Sequence, residues 1–163
     1  MIRLKKNLSL ITCTLSVLLI SFNVMAKDDT FEMFGYTIGS PLSQELKAID
    51  EEDNGQSGHG KNYTFIPKSN SLNIQFDDYV ISSDNNNKVI YGIFASKLLD
   101  NEKACQKEIE KVKPALVQRF GSPDVISNEV LHFTDSVQGF KAVEIHCASE
   151  MLYFSMNDIS INL

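Results

Sequence analysis

The chain has 163 residues, and its 15 Lys and Arg against 21 Asp and Glu give a formal net charge of −6. That balance argues against nucleic acid and anionic membrane surfaces as partners, since both select basic faces. A chain of this size can bury roughly two-thirds of its unfolded surface, enough for one domain with its own core.

Residues 1–26 read as an export signal. Arg3, Lys5 and Lys6 supply a positive start, an apolar run follows over 8–20, and Val24-Met25-Ala26 places small or tolerated residues before a cut at Lys27. The run is shorter than the roughly 20 apolar residues of a membrane span, and Cys13 comes too early for lipid attachment. The expected product is a periplasmic or secreted domain of residues 27–163. All 21 acidic residues remain in it with 12 basic ones, a formal charge of −9.

After a polar start, Phe31, Met33, Phe34, Tyr36 and Ile38 form an apolar strip. Gly39-Ser40-Pro41 is expected to open a short helix, with Ser40 as N-cap, Pro41 in the first turn and Leu42, Leu46 and Ile49 on one face. Residues 50–62, DEEDNGQSGHGKN, read as a mobile acidic loop. Its first half imitates a calcium loop, but Lys61 stands where a bidentate glutamate is required.

From Asn62 the pattern is β. Strands are expected at 63–66, at 72–76 where Leu72, Ile74 and Phe76 alternate with polar residues, and on through 79–81. The segment 88–96, KVIYGIFAS, is apolar on both faces, which predicts a central strand covered on each side. Gly92 within it predicts close approach of a helix.

Residues 100–123 carry Cys105, Ile109, Val112, Leu116 and Phe120 at steps of four, three, four and four, one stripe of an α-helix. Asp100 is the expected N-cap, Gly121 and Pro123 the stop, and Pro114 an expected kink or division. Further strands follow near 129–134, at 141–148, at 151–156 and at 159–162. In the second of these Val143, Ile145 and Cys147 fall on one side and Glu144 and His146 on the other.

Once the signal is removed, Cys105 and Cys147 are the only cysteines, and an even pair in an oxidising compartment predicts a disulfide. Both sit on the apolar parity of their elements. A bond closing about 43 residues would stabilise the fold by about 4 kcal/mol on the chain-entropy model.

The expected fold is α+β: an antiparallel sheet of two meanders, with the short N-terminal helix and the long helix packed on one face. Its two halves, 31–96 and 98–163, share one order of elements. That order resembles the helix-then-meander modules of the β-lactamase-inhibitor protein and of small outer-membrane assembly lipoproteins. The likeness is one of element order, and no residue role is taken from it.

No phosphate-binding glycine loop, serine elbow or zinc-ligand spacing occurs, so neither a cofactor nor a catalytic set is expected. The leading expectation is a non-catalytic inhibitor or immunity-type protein that caps another protein with a basic surface or cleft. Asp50, Glu51, Glu52, Asp53 and His59 are the expected contact. The alternative is a receptor or carrier for an apolar or amphiphilic ligand, with Phe31, Phe34 and Tyr36 lining its pocket. A third reading is a metal-dependent hydrolase built on His132, Glu144 and His146, since a carboxylate beside an imidazole orients it and raises its basicity.

Overall fold

The computed structural model describes residues 31–42, 46, 48–53, 60–127, 129–134 and 141–162, with backbone alone at 48, 49, 52, 53, 161 and 162. The export signal and His59 lie outside the described residues.

The chain opens with a two-strand hairpin, β1 (Glu32–Met33) and β2 (Tyr36–Thr37). It continues through β3 (Ala48–Asp53), β4 (Gly60–Phe65), β5 (Asp78–Asp84) and β6 (Ile90–Leu98) to the helix α1 (Glu102–Phe120). Then come β7 (Val125–Ile126), β8 (Val130–Thr134), β9 (Lys141–Ala148), β10 (Met151–Asp158) and a 3-10 turn, Ile159–Asn162. Eight strands form one sheet in the order β3-β4-β5-β6-β10-β9-β8-β7, with every pairing antiparallel.

The mixed α+β class thus holds, but its finer form differs from expectation. One continuous sheet replaces two meanders, because β6 and β10, the last strands of the two runs, pair with each other at its centre. Among the described residues α1 is the one α-helix. The segment expected to begin the short helix runs alongside β6 instead. Pro41 bridges Val89, Gly39 donates to the Ile90 carbonyl at 2.8 Å, and Ile90 donates to the Ser40 carbonyl at 2.9 Å. The Ser40 hydroxyl donates to Thr37 O at 2.7 Å and so does not act as a cap.

α1 covers β8, β9 and β10. Cys105, Ile109, Val112, Leu116 and Phe120 are all buried, as their spacing predicts. The disulfide joins Cys105 to Cys147 with the Cα atoms 6.0 Å apart, pinning the first turns of α1 to β9. The helix runs unbroken past Pro114, contrary to the expected division. Pro114 and Glu110 both lie on the exposed side, where water can bond the carbonyl that the missing N–H leaves free.

The N-cap is Asn101, not Asp100: its Oδ1 accepts the Ala104 N–H at 3.0 Å. Gly121 ends the helix at φ 84° and donates to Val117 O at 2.9 Å. Asn101→Ala is expected to destabilise the protein by about 1 kcal/mol, read as a lower denaturation midpoint with an unchanged slope.

Among the described residues no helix covers the other half of the inner face. The β1–β2 hairpin and residues 66–77 cover it, through Met33, Phe34, Tyr36, Ile38, Leu72, Ile74 and Phe76, all in the core. Leu72, Ile74 and Phe76 are buried and Asn73 and Gln75 exposed, as the alternation implies, yet this segment is not a strand. Asn73 takes φ 57°, a left-handed turn that breaks extension. The segment is tied down by bonds from Lys68 N to Phe34 O at 3.0 Å and from Phe76 N to the Tyr79 hydroxyl at 3.0 Å.

Candidate functional site

Among the described residues, the helix and the main hydrophobic cluster lie on one side of the sheet, and the register defines what the other side presents. Side chains of directly paired residues share a face. One row therefore runs Asp50, Thr64, Val80, Phe94, Ser155, Glu144, His132 and Val125, across all eight strands. A second runs Asp78, Ser96, Tyr153, His146 and Val130. A third holds register positions Glu52, Asn62, Ser82, Gly92, Asn157, Ala142 and Thr134.

None of these 20 positions is Lys or Arg, while Asp50, Glu52, Asp78 and Glu144 are acidic. The basic residues of the strands face the other way. Lys97 pairs with core residue Leu152 and lies 3.9 Å from Glu108 of α1, and Lys61 pairs ionically with Glu51. The helix adds Lys103, Lys107, Lys111, Lys113 and Arg119 on the far side of the molecule. Basic side chains thus stand away from an acidic and aromatic open face, on a side that also carries Glu51, Glu102, Glu108 and Glu110.

His132 and His146 fall on paired strands and share this face with Glu144, so the sequence-derived constellation does assemble. Glu144 takes His132 Nδ1 at 3.2 Å on Oε2 and stands 2.8 Å from His146 Nδ1 through Oε1. The second contact is a close approach and not a hydrogen bond, since His146 Nδ1 has no hydrogen-bond partner among the described residues. The His146 ring stacks on Tyr153, with centroids 5.2 Å apart and planes at 25°. No group of three or more His, Cys, Asp and Glu among the described residues is placed to hold a metal ion. Among the described residues, no hydroxyl or thiol hydrogen-bonds either imidazole.

Beside it, Val80, Phe94, Ser96, Tyr153 and Asp78 border an open hollow of about 440 Å³. Gly92 helps to make it, though not by admitting a helix as its sequence context suggested. A Cβ at Gly92 would stand 2.6 Å from Phe94 Cε2 and 3.0 Å from Asn157 Oδ1. The Phe94 ring therefore lies along its own strand, over the missing side chain.

The other expected site residues are dispersed. Asp50 and Glu51 are exposed, but they belong to edge strand β3 and not to a loop. Asp50 and Glu52 hold open-face positions, while Glu51 and Asp53 hold the opposite parity. Phe34 and Tyr36 are core residues, and Phe31 is half-buried with its ring 5.6 Å from Phe120. Burial raises the Tyr36 phenol above its ordinary pKa, as suits a packed side chain.

The described residues form an α+β domain with one α-helix and an eight-stranded antiparallel sheet, one face of which they leave open. No protein-family model, curated protein or solved structure matches the chain. No helix among the described residues is long and apolar enough to cross a membrane.

Proposed function

We propose that the chain is an exported, non-catalytic binding protein of the inhibitor or immunity type, and that its open sheet face caps a basic surface or cleft of another protein. The carrying observation is the exclusion of basic side chains from that face. Four acidic positions, two imidazoles and the rings of Phe94 and Tyr153 share that face with no Lys or Arg among its registered positions. Complementary fields steer encounter and exclude like-charged partners, and exposed aromatic anchors supply the apolar contact. A disulfide and the absence of a membrane-spanning helix among the described residues are compatible with export.

This reading moves the contact from the acidic segment alone to the sheet face that its Asp50 borders. Affinity capture from periplasmic extract tests it. The wild-type protein should retain a basic partner that the Asp50→Lys/Glu144→Lys double variant, melting normally, holds at least tenfold more weakly. Equal retention by both, or no partner and a native mass of one chain, would reject the reading.

A further inference from the structure

One acid on the open face has no side-chain partner among the described residues. Asp77 accepts the Leu98 N–H at 2.8 Å, whereas the carboxylate of the neighbouring, exposed Asp78 makes no hydrogen bond or ion pair among the described residues. Asp78 stands at the rim of the 440 Å³ hollow, whose apolar lining includes Val80, Phe94 and Tyr153. His146 also lines the hollow, its ring stacked on Tyr153, and Gly92 lets Phe94 lie down along the strand.

A free carboxylate beside aromatic rings favours a cation on two counts, through direct charge and through the ring quadrupole. A neutral apolar occupant would desolvate Asp78 and give it nothing in return. Between the two basic side chains, guanidinium fits better. It is planar, stacks on rings, donates to both carboxylate oxygens and is more weakly hydrated than an ammonium.

Resting on the reading above, we propose that this hollow is the seat of one arginine of the basic partner, its guanidinium held by Asp78 and stacked on Tyr153 and Phe94. The probe is N-acetyl-arginine N-methylamide, titrated into isotope-labelled protein and followed by NMR. Saturable shifts are expected at Phe94, Ser96 and Tyr153 in the millimolar range, weakened at least fivefold by Asp78→Asn and missing with N-acetyl-norleucine N-methylamide. Equal shifts with the norleucine probe, or no effect of Asp78→Asn, would overturn the proposal. Shifts at the same residues from dodecyl maltoside that ignore Asp78→Asn would instead assign the hollow to a neutral amphiphile, and also overturn it.

The captured partner separates this inference from the one beneath it. If Asp78→Asn binds that partner as tightly as the wild type while Asp50→Lys/Glu144→Lys does not, the arginine seat falls and the face reading stands. If neither variant weakens capture, both fall.

Discussion

Replacing Cys105 and Cys147 together by alanine is expected to lower stability by about 4 kcal/mol. The two residues are 42 apart in sequence, so the bond removes a large loop from the freedom of the unfolded chain. For a domain of this size that corresponds to a fall in melting temperature of roughly 10–20 °C. The loss should be greatest around α1, which the bond fastens to β9. Denaturant unfolding of the double variant, and of the wild type with and without reductant, measures it. Reductant should reproduce most of the effect of the substitution. A reduced protein as stable as the oxidised one would show that helix packing alone holds α1 in place.

Phe34→Ala is expected to cost about 3–5 kcal/mol, the range for emptying a buried aromatic site. Phe34 is wholly buried, and its ring meets Tyr79, Phe154 and Phe76 at centroid distances of 5.1, 5.5 and 5.7 Å. Those neighbours come from β5, β10 and the irregular covering segment, so one side chain fastens the N-terminal hairpin and that segment to the sheet. Urea denaturation should show a lower midpoint. A change under 1 kcal/mol would mean that the hairpin is dispensable and that the inner face is covered by residues 66–77 alone.

The second half of the chain was the more legible. The stripe Cys105 to Phe120 and the alternation of β9 each bind residue parity to one face, so helix, strand and disulfide all follow from spacing. The first half misleads because its signals are compositional. Asp50 to Asp53 look like a solvated loop, but an edge strand tolerates acidic residues, which also discourage pairing with another strand. Ser40-Pro41 has the chemistry of a helix start, yet the chain there pairs with the beginning of β6.

The histidine–glutamate cluster was legible because parity placed His132, Glu144 and His146 on one face once β8 and β9 paired. The hollow was not. In KVIYGIFAS both faces are apolar, so nothing local says that Phe94 faces outward while Ile93 and Ala95 face the core. The outward position of Tyr153 could be read from its alternation with Leu152 and Phe154, but its neighbours depend on the central β6–β10 pairing. That is a long-range contact, which no window of sequence contains.

The central claim is that the open face of the sheet, not the helix side, meets the partner. The most direct measurement places a photo-reactive phenylalanine analogue at position 153 on that face, or at position 107 on α1, and irradiates cells making each form. The account predicts a covalent adduct with a second protein from position 153 and none from position 107. Adducts from position 107 alone, or from neither, would contradict it.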